Sequence, residues 1–311
     1  MIEVSFYRED MKDEWDGFCA HAKNSIFLFD RNFIEYHKDR FTDGSLVVYK
    51  DNKIVALLPA SRHGDSLVSH GGLTYGGVIT GKDMRTSLFL DIFDAITRFL
   101  FENNFKKLII KCLPEFFSNE SSGELQYALF KKNATRIKCD LSTVIYQGCR
   151  GKVSKGRKWI ISKAKKHDVT VCEGRDFDKF YEIQCMALDK HGVKPVHSPN
   201  ELRFLQEKFP DNIKLFFAQK DADIMAAAVI FKFERVVHTQ YLATTPLGKE
   251  NGALDLLIDT LITDYKDIPT FSFGISTEQN GQYLNTGLCQ QKESFGGYPV
   301  SLETYEVTLN G

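Results

Sequence analysis

The sequence predicts an α/β chain of the α+β kind, built from two similar units in tandem, each a mixed, mostly antiparallel sheet flanked by helices. Three observations predict it. A strand, tight polar turn, strand pattern occurs at residues 46–60 and again about 170 residues downstream at 214–233. Each copy is followed by a third β-like run, an amphipathic helix and an apolar strand. The length of 311 residues suits two domains of about 150.

In the first half, helical stretches at 13–21 and 33–40 lead to a hairpin of strands 46–50 and 53–60 around Asp51-Asn52. A third run covers 66–80. The 3.6-type spacing of Leu88, Ile92, Ala95 and Phe99 predicts a helix over 83–103, and a strand follows at 107–112. In the second half, helices at 177–190 and 201–208 precede a hairpin of 214–219 and 224–233 around residues 220–223. The run 235–244 is its third strand; Leu254, Leu257, Ile258 and Leu261 predict a helix over 251–265, with a strand at 270–275. Each half reads α-α-β-β-β-α-β. Residues 301–309 alternate as a last strand. The expected division is residues 1–149 and residues 150–299, with 300–311 as the last strand.

With 43% hydrophobic and 13% aromatic residues, disorder is excluded and a sizeable core is available. The 40 Lys+Arg against 41 Asp+Glu leave a net charge of -1, which excludes a globally basic nucleic-acid coat but permits local patches. No apolar run approaches the roughly 20 residues of a membrane span, and residues 1–4 open no signal peptide. The expectation is a soluble, cytoplasmic chain without membrane insertion. The seven scattered cysteines, never spaced C-x-x-C, match neither a disulfide framework nor a zinc site, so no metal is expected.

Residues 150–167 carry Arg150, Lys152, Lys155, Arg157, Lys158, Lys163, Lys165 and Lys166 without one acid. Trp159, Ile160, Ile161 and Ala164 give the C-terminal portion of this stretch an apolar helical side. Either this is a solvated connector or it meets phosphates of a ligand; the single aromatic, Trp159, argues against a dedicated nucleic-acid surface and against DNA. Between the strand 235–244 and the helix after it, Gly248, Lys249, Asn251, Gly252 and Ala253 form a Gly-bearing turn. Helix-start N–H groups and a lysine there would receive a diphosphate. The equivalent turn in the first half, 80–85, lacks the second Gly. On the strand 235–244, His238 and Gln240 are expected on one face and Arg235, Thr239 and Tyr241 on the other.

Several of these stretches carry a resemblance. Lys249-x-x-Gly252-x-Leu254 resembles the diphosphate loop of GNAT acyltransferases, R/Q-x-x-G-x-G/A, with Lys and Leu as departures. The run 155–166 resembles the K-x-R-x-x-I-x-x-A-x-K segment of FemAB-like acyltransferases. Residues 271–297, with Phe273-Gly274, the Asn-rich 280–285 and Lys292-x-x-Phe295-Gly296-Gly297, resemble that family's C-terminal signature, Ser272 standing where Asp is usual. Residues 71–77 resemble its Gly-rich acceptor strand. The resemblance covers most of the chain and implies two GNAT-like units, the first facing an acceptor and completed by the returning strand 300–311, the second binding an acyl donor.

Lacking a helical arm, the chain is most similar to two-unit nucleotide-sugar N-acyltransferases, which implies a coenzyme A thioester as co-substrate, no tightly bound cofactor, and a dTDP- or UDP-linked amino-deoxysugar as acceptor for surface polysaccharide synthesis. For such chemistry His238 would accept the amine proton, Tyr241 would protonate the thiolate, and Lys292 would meet a phosphate or the reacting carbonyl. His70, Tyr75, Glu278, Asn280 and Asn285 are the expected sugar contacts, with the loop 278–292 and residues 71–77 as opposite walls of a pocket. Two other readings stand beside this one: an aminoacyl-tRNA-dependent aminoacyltransferase, the basic stretch then meeting tRNA, and a non-catalytic protein that binds a nucleotide sugar or acyl-CoA.

Overall fold

The computed structural model describes residues 1–189, 192 and 194–310; the helix expected to end at Lys190 and the last residue of the expected strand 300–311 reach outside them. In chain order the first elements are β1 (Ile2–Phe6), α1 (Lys12–His21), α2 (Arg31–Ile34), β2 (Leu46–Lys50), β3 (Lys53–Leu58), β4 (Ser61–His63), β5 (Ser66–Val68), β6 (Ile79–Thr80), α3 (Thr86–Glu102), β7 (Lys107–Lys111), α4 (Glu124–Lys131) and β8 (Thr135–Tyr146). There follow α5 (Lys155–Lys166), β9 (Thr170–Gly174), α6 (Phe177–Asp189), α7 (Pro199–Lys208), β10 (Ile213–Lys220), β11 (Asp223–Lys232), β12 (Val236–Thr244), α8 (Pro246–Asn251), α9 (Ala253–Asp264), β13 (Thr270–Ile275), β14 (Thr277–Glu278), β15 (Tyr283–Leu284), α10 (Thr286–Glu293) and β16 (Tyr298–Thr308).

The chain divides into two compact units. The first holds Met1–Asp140, Asn280–Gln282 and the segment from Ser301; the second holds Leu141–Gln279 and Tyr283–Val300. In the first unit, β1, β2, β3 and β6 are neighbours in that order, and β4, β5, β7 and β16 form a second group. Asp51 and Asn52 take left-handed φ of 50° and 62°, the conformation a two-residue hairpin turn demands. The helix α3 buries Phe89, Ile92, Phe93, Ile96 and Leu100 against Leu46, Val48, Leu108 and Val307.

The run 66–80 departs from expectation, because it is not one strand: β5 pairs in parallel with β7, the chain then leaves the sheet, and β6 pairs with β3. The break begins at His70, with φ of 53°, and at Gly71 and Gly72, whose added Cβ atoms would strike His63 and His37 at 2.8 and 2.1 Å.

In the second unit the order is β9, β10, β11, β12, β13 and β8, antiparallel except for β12 beside β13. The β10–β11 turn is tighter than expected, with Asp221 at φ of 51° and Ala222. The helices α9 and α5 cover one face, burying Leu256, Leu257, Leu261, Ile161 and Ala164 with Ile230 and Phe271. Among the described residues no helix is long and apolar enough to cross a membrane. The seven cysteines are all free.

Candidate active site

In the second unit, β12 and β13 run parallel for three residue pairs only: Val236 with Thr270, Val237 with Phe271, His238 with Ser272. Beyond them β13 turns away, because Gly274 adopts φ of 74° and the pairing with β8 becomes irregular between Ser272 and Ile275. The other strand is bent as well. Tyr241 lies opposite Val229 and Thr239 opposite Ile230, so Gln240 is the extra residue of a β-bulge. Strict alternation therefore fails at Gln240. Val237 and Leu242, five apart in sequence, both pack into the core under α9, which returns His238 and Tyr241 to one common face.

At the point of divergence four residues converge. The Nδ1 of His238 lies 3.1 Å from Ser272 Oγ, and a Cβ built on Gly274 would come within 3.3 Å of the His238 ring. Lys292 reaches back from α10, its Nζ donating to the carbonyls of Gly274 at 2.9 Å and Ile275 at 2.5 Å. Both ionisable groups are buried. Burial, then the Lys292 charge, lowers His238 to a pKa of about 4; burial lowers Lys292 to about 8. The imidazole is thus neutral at pH 7. An ammonium has three N–H donors, and two of Lys292's have protein acceptors among the described residues.

The aromatic and glycines after Lys292 position it. Phe295 is fully buried against Phe273 and lies under the Arg157 guanidinium, 4.5 Å from its ring centroid. Gly296, at φ of 89°, accepts through its carbonyl from Gly151 N at 2.9 Å, and a Cβ on Gly297 would meet Thr143 at 2.5 Å. The glycines are therefore required by close backbone approach rather than by a ligand.

The remaining expected site residues are scattered among different tasks. Tyr241 hydrogen-bonds through its hydroxyl to His197 Nδ1, touches Phe180 and is pushed up to about 12 by burial. The expected Gly-bearing turn at 248–253 is instead a short helix, α8, followed by a kink. Thr245 caps it by accepting from Gly248 N at 3.0 Å. Gly248 and Gly252 have packing reasons of their own: a Cβ on the first would collide with Met225 O at 2.0 Å, and on the second with Ile160 O at 2.9 Å, where φ is 69°. Asn251 donates to Leu247 O, and Lys249 is exposed.

Asn285 accepts from Leu288 N as the N-cap of α10 and donates to Glu278 at 3.0 Å, so these two expected sugar contacts hold each other. Asn280, in the first unit with Gly281, sits at φ of 56°. Tyr75 is buried against Phe117 with centroids 4.7 Å apart, so its ring presents no open face. His70 is buried beside His37 and Phe41, and burial, then His37, lowers it to about 3.

No family model matches the sequence, and no curated protein matches it. Solved structures do. FemX superposes with a TM-score of 0.70 at 10% identity, over 99% of this chain and 98% of that one. L-PGS from Bacillus licheniformis gives 0.62 at 12% identity over 98% and 92%. A tandem GNAT protein from the clavulanic acid biosynthesis pathway gives 0.51 at 9% over 100% and 99%.

The fold is a tandem GNAT-like fold.

Within that tandem GNAT-like frame, sequence reading missed four residues. Lys111, at the end of β7, donates to the carbonyls of His70, Gly71 and Leu73 at 3.1, 3.2 and 2.7 Å. A lysine ending an alternating strand carries no signal of those contacts. His37 and His63 flank the glycines after His70. His197 precedes a capping box in which Ser198 and Glu201 bond reciprocally. Its sequence context marked the helix start but not the tyrosine it meets.

Proposed function

We propose that this protein is an N-acyltransferase that moves an acyl group from a coenzyme A thioester to the amine of a dTDP- or UDP-linked amino-deoxysugar used in surface polysaccharide synthesis. The observation that carries the reading is the divergence of β12 from β13 at the spot where buried Lys292 keeps one N–H without a protein acceptor among the described residues. The amine nitrogen attacks the thioester carbon, and the carbonyl electron pair moves to oxygen, which the Lys292 ammonium meets. Collapse expels the thiolate, which takes its proton from Tyr241, a phenol held protonated by its raised pKa. The amine proton passes to His238, which cannot keep it, and from there restores the Tyr241 phenol, so that amide and thiol are the only products. With a pKa of about 4, His238 is a hydrogen-bond acceptor rather than a strong base, so the amine must enter neutral. We place the coenzyme's diphosphate beside Lys249 in the segment 248–253, which follows β12 directly.

Support for the donor class comes from the GNAT-like fold and from the resemblance at Lys249 and Lys292. The test is thiol release when acyl-CoA meets dTDP- or UDP-amino sugars, beside thermal shifts with each ligand alone. Stabilisation by acyl-CoA and amine-dependent thiol release are expected. Stabilisation without turnover in any combination would leave only a binding protein.

A second reading, aminoacyl-tRNA-dependent transfer, is favoured by the basic helix. Lys152, Lys155, Lys158, Lys165 and Lys166 have no ion-pair partner among the described residues, whereas Arg150 and Arg157 are held by Asp259 and Asp255. A cavity of about 350 Å³ opens between Lys158, Ser162 and Lys165. If this surface meets RNA, affinity should fall log-linearly with salt, with a slope set by the number of phosphates contacted. A flat salt response removes this reading.

A further inference from the structure

The first unit contains a cavity of about 300 Å³ bounded on one side by Gly76 and Gly77, the end of the expected acceptor strand, and by none of the other expected site residues. It opens just past the C-terminal end of β7, where the chain runs through Leu113 and Glu115, and beside Gly76 and Gly77. The β5–β7 pair ends at Val68 and Ile109, and after the excursion that begins at His70 the chain meets the β7 end again through an isolated parallel bridge between Gly76 and Cys112. Crevices outside the carboxyl ends of parallel strands are where open α/β sheets leave room for ligands, and this volume lies at the lower end of small-molecule sites.

The lining states the chemistry. The floor is apolar, from Val78, Leu113 and Leu125. Around it stand the hydroxyls of Ser118 and of Ser122, which also meets the Glu124 carboxylate, and the amide of Gln126. The Glu115 carboxylate stands at the exposed mouth, one of its oxygens accepting from Ser121 Oγ at 2.5 Å and the other open among the described residues. Asn24 also faces it, but its amide is committed to Val78 O at 2.9 Å and Thr80 N at 2.8 Å, so it shapes the wall rather than reading a ligand. None of the lining residues is a cation. Lys23, next in sequence to Asn24, is buried in an ion pair with Glu124 at 2.6 Å, which neutralises both. The wall at residues 76–77 is bare backbone for a reason independent of any ligand: Gly76 is pressed on Ser69, and Gly77 has φ of 102°.

Hydroxyls, an amide and one carboxylate over an apolar floor suit a ring with hydroxyl groups on its edge and an ammonium substituent. They disfavour phosphate or carboxylate, which would face Glu115 without a compensating charge. We infer that this cavity is a binding site for a non-phosphorylated, hydroxyl-rich amine of monosaccharide size, with Glu115 holding the ammonium and Ser118, Ser122 and Gln126 the hydroxyls. The site belongs to the first unit alone and stands whether or not the second unit transfers acyl groups.

The test is calorimetry and saturation-transfer NMR on the full chain at pH 7 with D-glucosamine, methyl α-D-glucopyranoside and glucose 6-phosphate as probes. Both unphosphorylated probes should bind, the amine more tightly and the phosphate at least tenfold more weakly. Glu115→Gln should weaken glucosamine about tenfold, the size of one charge-assisted hydrogen bond, and leave the methyl glucoside unchanged. Gln126→Phe, which closes the mouth from an exposed position, should abolish both; Ser122→Val serves if the phenylalanine lowers the melting temperature. Lys292→Ala should leave probe binding intact even where it removes thiol release, which separates this site from the transfer reaction. Absence of binding to the unaltered protein, equal binding of the phosphate, or binding unaffected by either mouth variant would overturn the assignment.

Discussion

Among the described residues each unit carries one parallel strand pair, and each pair lasts for three residues before it splits: Ser66, Leu67 and Val68 against Lys107, Leu108 and Ile109 in the first, Val236, Val237 and His238 against Thr270, Phe271 and Ser272 in the second. Both splits are closed by a lysine, half-buried Lys111 in the first and buried Lys292 in the second, whose pKa desolvation brings down to about 8. They differ in how far that lysine is used. Lys111 spends its donors on three carbonyls, His70, Gly71 and Leu73; Lys292 spends two, on Gly274 and Ile275. A saturated ammonium is a fastener. One with an N–H to spare can also meet a substrate oxygen, so counting acceptors separates the two roles where pKa does not.

The sharpest way to break that comparison is to remove each lysine. Lys292→Ala is expected to lower kcat about 100-fold, the scale of a lost oxyanion donor, with a modest loss of stability. Lys111→Ala should do the reverse: it strands three carbonyls and should cost about 2–4 kcal/mol in urea unfolding while kcat per folded molecule holds. Equal kinetic damage from both would erase the distinction.

Next in size is Gly252→Val. Its Cβ would press on Ile160 O at 2.9 Å from a left-handed backbone, so a loss of about 2–3 kcal/mol is expected. Lys249→Ala, by contrast, should leave the melting temperature unchanged and raise the KM for acyl-CoA several-fold, about the worth of one lost phosphate contact. An unchanged KM there would move the coenzyme elsewhere.

The third test is acid. His70 and His238 are held at about 3 and about 4, first by burial and then by His37 and Lys292 respectively. An unfolded histidine takes its proton near 6.5, so between 6.5 and about 4 the unfolded chain binds more protons than the folded one. Stability is therefore whole above pH 6.5 and declines as pH falls through that window. Urea midpoints at pH 7 and pH 5 should show it, and His70→Asn, which tolerates the left-handed backbone, should flatten the slope. The smallest effect is expected from Asn285→Ala, a lost helix cap of about 1 kcal/mol, with no selective change in amino-sugar affinity.

The hairpins at Asp51-Asn52 and Asp221-Ala222, the helices over 86–102 and 253–264, and the strand 270–275 were legible because turn chemistry and apolar period are local properties. The bulge at Gln240 was not. It is set by pairing with β11, and it moved Tyr241 to the face of His238 against strict alternation. Nor could sequence tell a ligand-driven glycine from a packing one, since Gly252 faces Ile160, about ninety residues away along the chain. Tyr75 failed for a related reason: a strand-like, Gly-rich context read as open surface became a loop folded over Phe117.

The last strand has a consequence in time. Glu306 on β16 meets Lys107 on β7, and the two residues are 199 apart along the chain. At synthesis rates of 5–20 residues per second, β7 waits roughly 10–40 s with that edge unpaired. The nascent first unit therefore needs protection from foreign strands while the second is still being made, so a released fragment ending near Asp140 should be recovered as aggregate rather than as a folded half.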